Sequence, residues 1–476
     1  MVRCHVRVVS LLSPVRMPAT TLSTSAPLRY GTYGALYFMQ GIPQGLQLYA
    51  IPAWMAMNGL DAAAVGAYVG ICTLPWTFKL VAGPLMDRYG FLPMGRRRPW
   101  LLGAQLGLLA MMLVMAFVPD PLNNLTLFMS VSFVLNCFGA VQDVATDGMA
   151  VDVTPLEEQA RANGIMWGAK VVGIGATLTG GTWAINTFGF TAAVVGLTAV
   201  MLLVLIVPSV MRERPGERLF PWSQGQASPE AVAMKPESWA EILLTLKNAF
   251  LLRNSLLGAL CIFLVGSANG LKDALLPVFT IQRLNWDNTA YADTVASANV
   301  LGALAAMVLA GWLADRVGKV RVISIYLVVI ALTWTFIASA PASWSAKGGF
   351  VSVIYGLQFL EIFMLVAILA TAMNLCWTRV AATQFTLYMV CNNMGLVVGA
   401  MVLGPLRARL EWSGMFLFLV AVYAVALVLW QLMRLGVHVH ALGRLEDDFA
   451  EREARIALGR DGAIPVDLGV PGAMRP

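Results

Sequence analysis

Gly83-Pro84-Leu85-Met86-Asp87-Arg88-Tyr89-Gly90 and Gly311-Trp312-Leu313-Ala314-Asp315-Arg316-Val317-Gly318 are two copies of one pattern, Gly-x-Leu-x-Asp-Arg-x-Gly. Basic residues follow each copy. They are Arg96, Arg97 and Arg98 after the first, across an insertion from Phe91 to Met94, and Lys319 and Arg321 after the second. Each copy also closes an apolar stretch, Ala63 to Met86 and Ala290 to Ala314. A short signal repeated at equivalent places after equivalent apolar stretches means that the chain is built from two related halves.

Working outward from these copies, twelve apolar stretches are long enough to cross a bilayer, from Gly31 to Met57 at one end to Gly414 to Arg434 at the other. A hydrocarbon core about 30 Å thick needs roughly 20 such residues per helix, because lipid offers no partner for a bare backbone group. The reading is an all-α membrane protein with twelve spans in two six-helix bundles. Residues 30–211 form the first bundle, 212–254 a polar linker and 255–435 the second bundle. Residues 436–476 are a solvated tail, with Glu446, Asp447, Asp448, Glu451, Arg452 and Glu453 in its charged part. In the linker Trp239, Ile242, Leu243, Leu246 and Phe250 recur at helical spacing, as in an amphipathic helix lying on the membrane surface. Most of the 32 Lys and Arg fall on one side when both termini are placed in the cytoplasm, which sets the expected orientation. Residues 1–29 contain no acid, and carry Arg3, Arg7, Arg16 and Arg29; either a weak transit peptide or a start at Met17 explains them.

Composition agrees. Of the 476 residues, 58% are hydrophobic and only 12% charged, against about 25% charged in soluble domains. The net charge of +6 lies in short clusters between apolar stretches, so it speaks for membrane topology and against nucleic acid. Six cysteines (Cys4, Cys72, Cys137, Cys261, Cys376, Cys391) stand singly, and His5, His438 and His440 all lie outside the spans. Neither set has metal-ligand spacing, so no metal or cofactor is expected and carboxylates must carry any proton chemistry.

The doubled pattern resembles the loop signature of the major facilitator superfamily. That resemblance implies an inner gate latch made of Gly83, Asp87, Arg88, Arg96, Arg97 and Arg98 in the first half, and Gly311, Asp315, Arg316, Gly318 and Lys319 in the second. The plainer reading, that both clusters merely obey the positive-inside rule, fits one copy better than two. If the latch reading holds, Asp87 and Asp315 cap helix starts near Thr383 and Arg161 of the opposite half.

Polar residues inside the spans are costly and therefore informative. Tyr37, Gln40, Gln44 and Gln47 fall on one face of span one, beside Gly41, Pro43 and Gly45. Span four has Asn136, Asp143 and Asp147; span seven has Asn269, Lys272 and Asp273; span ten has Gln358 and Glu361. Asn392 in span eleven, Lys79 in span two and Lys170 in span five stand outside this set, although the superfamily resemblance makes spans one, four, seven and ten the cavity lining. We take Tyr37, Gln40, Gln44, Gln47, Asn136, Asn269, Lys272, Gln358, Glu361 and Asn392 as substrate-cavity candidates, and Glu361, Asp143, Asp147 and Asp273 as proton-coupling candidates. Three rival roles stay open: Asp143 and Asp147 lie near the end of span four, within reach of the arginines; Lys272 has Asp273 beside it to neutralise it; and Glu361, midway along its span, can instead be a satisfied interhelical hydrogen bond.

A closer resemblance covers about Leu36 to Leu406. Leu74-Pro75-Trp76-Thr77-Phe78-Lys79, Val141-Gln142-Asp143-Val144-Ala145-Thr146-Asp147, Lys272-Asp273-Ala274 and Ala382-Thr383-Gln384-Phe385 are similar to the peptide and acetyl-coenzyme A transporter family, which includes muropeptide permeases of the AmpG type. The likeness implies a monomeric, proton-driven importer of a sugar-peptide compound in the bacterial inner membrane, with siderophore or acetyl-coenzyme A transport as alternatives. The Gly270-Leu271-Lys272-Asp273 stretch departs from the family pattern, which more commonly has a glycine before the acid. An intramembrane aspartyl hydrolase built on Asp147 and Asp273 leaves the doubled signature without a purpose, and a receptor that has lost transport is distinguished only by a flux assay. No enzymatic activity is expected.

Overall fold

The computed structural model describes residues 21–233, 247, 250–377 and 381–460. Among these the chain is helical throughout, with no strand. Helix α1 runs as Ala26–Gly45, a π turn at Leu46–Ala50 and Ile51–Met57. Helix α2 runs as Ala62–Thr73, a 3-10 turn at Leu74–Phe78 and Lys79–Arg88. There follow α3 (Arg98–Ala116), α4 (Leu125–Val153), α5 (Leu156–Phe188) and α6 (Phe190–Ser209). After the linker come α7 (Arg253–Val278, closing in a π turn at Phe279–Arg283), α8 (Asn288–Val317), α9 (Lys319–Ser339) and α10 (Lys347–Leu375). Then come α11 (Ala381–Met401), α12 (Trp412–Gln431) and the tail helix α13 (Leu435–Arg460). Eight of the described helices are long and apolar enough to cross a membrane by composition alone, and Ala62–Phe78 is a shorter apolar one. The amphipathic linker segment expected around Trp239 lies largely outside the described residues.

Contacts divide the chain into two compact units, residues 1–54 with 81–236 and residues 55–80 with 237–476. The first half of α2 thus packs with the second unit, where a Cβ added to Gly66 would lie 2.5 Å from the Ala400 carbonyl oxygen of α11. Each unit is built around one intimate helix pair. In the first unit α1 lies against α5: a Cβ at Gly41 would sit 2.5 Å from the Lys170 carbonyl oxygen. In the second unit α7 lies against α11, and a Cβ at Gly399 would sit 1.9 Å from the Ser267 carbonyl oxygen. Lipid tails are as apolar as leucine, so helices in a bilayer associate through close packing of small residues such as these. The glycines of span one therefore set the face that meets α5, which leaves the glutamines for another face.

The first unit begins before Gly31. Leu22 is buried, its N–H donates to the Arg212 carbonyl at 2.9 Å, and the buried Arg29 guanidinium meets Glu158 at 2.6 Å. At the same end the arginine triplet is held by its own unit. Glu213, fully buried, accepts the backbone N–H groups of Arg96, Arg97 and Arg98 at 2.9, 2.8 and 2.5 Å. It thereby caps the start of α3, where helix N–H groups have no internal partner and the helix dipole favours an anion. Asp152 on α4 lies 3.0 Å from Arg97 and 3.5 Å from Arg96. The Arg98 guanidinium donates to the Ser209 carbonyl at 2.6 Å, at the end of α6.

In the second unit Phe279, at the π turn that ends α7, packs its ring against Trp344, Phe350, Trp412 and Phe416 with centroids 5.0 to 5.5 Å apart. This buried aromatic cluster fixes one end of α7. At the other end α13 seals the unit. Trp377 donates its indole N–H to Glu446 at 2.6 Å while packing on Leu442 and Leu445, and His438 bonds the Leu375 carbonyl at 2.9 Å.

Candidate functional site

Each unit holds, among its helices, a cluster of ionised and amide side chains. In the first unit the cluster bridges α1 and α4. Tyr37 donates to Asp147, Gln40 donates to Asp143, and Gln47 accepts from Asn136, which also bonds the Ser132 carbonyl at 2.9 Å. The partners step back along α4 as the donors step forward along α1, as antiparallel helices require. Gln40, Gln47 and Asp143 are buried, Gln44 is half-buried, and Asp147 is exposed. Lys170 on α5 reaches the same place. Its ammonium is 4.0 Å from Asp143 and lies over the rings of Trp167 and Tyr37, at 4.9 and 5.8 Å from their centroids.

In the second unit Lys272 on α7, 3% exposed, is paired with Glu361 on α10, 6% exposed, and lies 3.0 Å from Asp273. The other carboxylate oxygen of Glu361 is buried and has no hydrogen-bond partner among the described residues. Tyr423 on α12 donates to Asn269 at 3.1 Å beside it. Gln358 donates to Asn299 on α8, so it turns toward α8 while Glu361 turns toward α7. Asn392 meets α7 through its backbone, its carbonyl oxygen lying 2.5 Å from where a Cβ on Gly266 would stand.

The gate candidates divide. Gly83 and the exposed Arg88 lie on α2, and Arg96 to Arg98 lie in the capped loop described above. Gly318 has a φ of +92° at the α8 to α9 turn, a conformation that a β-carbon opposes; Arg316 is exposed and Lys319 starts α9. The side chains of Asp87 and Asp315 and the surroundings of Gly311 lie outside what is described, and so does the capping expected of the two aspartates.

Two expectations read differently in space. Arg96 and Arg97 meet Asp152, an acid the sequence reading did not single out, and Asp143 and Asp147 bond Gln40 and Tyr37. Asp152 stands nine residues beyond Asp143, about 14 Å along a helix, which puts it at the loop that carries the arginines. Lys272 does meet Asp273, and it also meets Glu361, which has no charged neighbour in sequence. Sequence reasoning missed Tyr423, Asn299, Asp152 and Glu213. Tyr423 and Asn299 were legible only as single polar residues in apolar helices, and Glu213 sits in a charged Arg212-Glu213-Arg214 stretch that looks solvated.

Both clusters contain two carboxylates and one lysine: Asp143, Asp147 and Lys170 in one, Asp273, Glu361 and Lys272 in the other. In the second, with all ionised, two carboxylates share one ammonium in a place where surplus charge is expensive. Such a cluster has two inexpensive states, one with an added proton and one with a cationic group brought in.

The family model described as Major Facilitator Superfamily matches residues 34–400. Among curated proteins, the chain is 25% identical over 429 residues to the anhydromuropeptide permease of Escherichia coli, covering 88% of this chain and 82% of that one. It is 24% identical to the putative transporter AmpG 4 of Rickettsia conorii, covering 84% of this chain and 96% of that one. Among solved structures, the nucleoside transporter NupG superposes with a TM-score of 0.64 at 12% identity, covering 84% of this chain and 98% of that one. The neighbours are transporters, and the chain is an AmpG-like, multi-pass membrane transporter of a small solute rather than an enzyme.

Proposed function

The chain belongs to the major facilitator superfamily, and from that premise we propose that it imports a sugar-peptide compound of the muropeptide class, in symport with protons, by alternating access. The membrane is then the bacterial inner membrane with both termini in the cytoplasm, as the clustering of basic residues between spans favours. The observation that carries the reading is the buried Lys272, Glu361 and Asp273 group, where one cation faces two carboxylates. Adding a proton removes the surplus charge, and losing it restores an ion pair that holds α7 to α10. The proton thereby becomes a condition for the helices to rearrange, which is what coupling demands. The Asp-Arg loops of the two repeats serve as the inner gate, and the amides of α1 supply neutral donors and acceptors suited to sugar hydroxyls and peptide groups. The substrate class rests on the likeness to the Escherichia coli permease.

The test is uptake by membrane vesicles of a panel comprising an anhydromuropeptide, a siderophore and acetyl-coenzyme A, with and without an imposed pH gradient. The reading expects accumulation of the anhydromuropeptide above equilibrium only when the outside is acidic. Gradient-independent equilibration overturns symport, and accumulation of another member of the panel overturns the substrate class.

A further inference from the structure

Trp222, in the linker, is 83% exposed, more than any other large hydrophobic residue described. The loop that displays it is not loose. Arg98, 1% exposed, gives its guanidinium to the Leu219 carbonyl and, at 3.3 Å, to the Arg218 carbonyl. Arg218 in turn bonds the Gly225 carbonyl at 2.9 Å and the Pro221 carbonyl at 3.0 Å, and its backbone N–H donates to the Pro93 carbonyl at 2.7 Å. Ser223 Oγ accepts the N–H groups of Leu219 and Phe220 at 2.9 and 3.0 Å. Two arginines and a serine thus close residues 218–225 into a compact turn fastened to the start of α3. At its tip the rings of Phe220 and Trp222 stack, 7° from parallel with centroids 5.3 Å apart, and the Arg98 guanidinium lies 5.9 Å from the Phe220 centroid. A stacked aromatic pair held in place by buried bonds presents a fixed apolar face, and water gives such a face no return.

The depth of the loop identifies what meets it. The guanidinium that holds Leu219 also bonds the carbonyls of Pro208 and Ser209, at 3.3 and 2.6 Å, where α6 ends. The 20 residues of α6, at about 1.5 Å each, cover about 30 Å, the thickness of the hydrocarbon core, so Ser209 stands at its edge. One guanidinium is too small to hold the loop far from that edge, which puts residues 218–225 at the level of the lipid headgroups. The neighbouring face of α6 is turned to lipid: Leu202, Leu203 and Ile206 are exposed, and so is Val210, just past the last turn. Tryptophan favours this layer, because its ring rests against acyl chains while its N–H reaches polar headgroup atoms. We infer that Phe220 and Trp222 form an interfacial anchor, which sets the Trp222 indole among phospholipid headgroups at the end of α6 and so ties the linker to the bilayer. The attraction is apolar rather than ionic, since the nearby arginines are already engaged. Arg98 and Arg218 bond carbonyls as above, and Arg214 bonds the Asp152 carbonyl at 2.8 Å and lies 3.6 Å from Glu213. A zwitterionic lipid is therefore enough, and the anchor is independent of which solute the protein carries.

The experiment uses the purified full-length protein, labelled with fluorotryptophan, in nanodiscs of phosphatidylcholine. Trp222→Phe assigns the Trp222 fluorine resonance by its disappearance, and its melting temperature is expected to match that of the parent, because so exposed a ring has little packing to lose. Two probes then read the surroundings of the indole: phosphatidylcholine carrying a nitroxide on its headgroup, and a gadolinium chelate confined to water. The expected result is loss of the Trp222 resonance with the headgroup nitroxide and its survival with the chelate. Loss with the chelate and survival with the nitroxide puts the indole in water and overturns the anchor. Survival with both means that protein covers the ring, and overturns it equally. A response to the nitroxide that appears only after phosphatidylglycerol is added assigns the contact to the arginines of the loop, and removes the apolar anchor in favour of an electrostatic one.

Discussion

Lys272 on α7 and Glu361 on α10 form a buried ion pair, and Asp273, the next residue along α7, lies 3.0 Å from the same ammonium. The pair joins two helices that carry opposite charges at one depth, so its state is coupled to their spacing. Burying both ions costs several kcal/mol each, and mutual attraction repays this only while both partners remain.

Replacing one partner is therefore worse than replacing both. Lys272→Met leaves two carboxylates facing each other, and is expected to destabilise the purified protein by about 3–5 kcal/mol if both stay ionised. The double variant Lys272→Met with Glu361→Gln is expected to recover most of that loss. Melting temperatures of the two single variants and the double variant, taken as a cycle, measure the coupling. A double variant no more stable than Lys272→Met removes the pair from the stability of the second unit.

Transport separates the pair from its neighbour. Glu361→Gln holds a neutral, proton-like state, and is expected to abolish proton-driven accumulation in proteoliposomes while leaving solute counterflow, which needs no net proton movement. Asp273→Asn, whose acid is partly exposed, is expected to shift the pH dependence of uptake rather than eliminate accumulation. Undiminished accumulation by Glu361→Gln against a gradient takes Glu361 out of the coupling step.

Much of this arrangement was legible beforehand, and the unread part has a common cause. The doubled Asp-Arg pattern and the apolar stretches announce twelve helices in two halves, because bilayer thickness and backbone pairing leave few other solutions. The helical spacing of Tyr37, Gln40, Gln44 and Gln47 announces a polar face. The rotation and register of one helix against another are not written in either helix alone. Gln44 thus looks equivalent to Gln40 until α4 places Gly139 and Ala140 opposite it, and Asp152 gives no sign of meeting an arginine until α4 extends to it. Glu213 was opaque for a different reason. A carboxylate buried by three backbone N–H groups has the same one-letter neighbours as one in water.

Close helix contact gives a third prediction. Gly399 on α11 faces the Ser267 carbonyl of α7 so closely that an added Cβ would stand 1.9 Å from its oxygen. Gly399→Ala must push α7 away, and α7 carries Asn269, Lys272 and Asp273. Overpacking of this kind costs about 1–3 kcal/mol. The expected outcome is a lower melting temperature together with reduced uptake, whereas Gly103→Ala on α3, which has nothing within 4 Å, changes neither. An unchanged melting temperature for Gly399→Ala means that the pair α7 and α11 has slack.

The capped loop predicts an unusual pH dependence. Glu217 is buried within the linker, where burial raises its pKa first and the neighbouring Glu213 carboxylate raises it further, from the ordinary 4.5 to about 7. The bonds from Ser228 Oγ at 2.9 Å and the Arg214 N–H at 3.0 Å oppose the rise without cancelling it. A carboxyl whose folded pKa lies above its unfolded value holds more protons when folded, so stability falls as pH rises between the two values. The first unit is therefore expected to lose stability steadily from about pH 4.5 to about pH 7, and to show no further contribution from this group above that. Melting curves in detergent across pH 5 to 8 record the slope, which Glu217→Gln should flatten by fixing the neutral form. Glu213→Gln is the companion variant. Its loss of an anion from the start of α3 should lower the melting temperature most at the alkaline end of the range and less toward acid, because burial raises the pKa of Glu213 itself and the three N–H groups face a weaker acceptor only where the carboxylate is ionised. If Glu217→Gln leaves the slope of the wild-type curve intact, the proton resides elsewhere in the loop and the assignment to Glu217 fails.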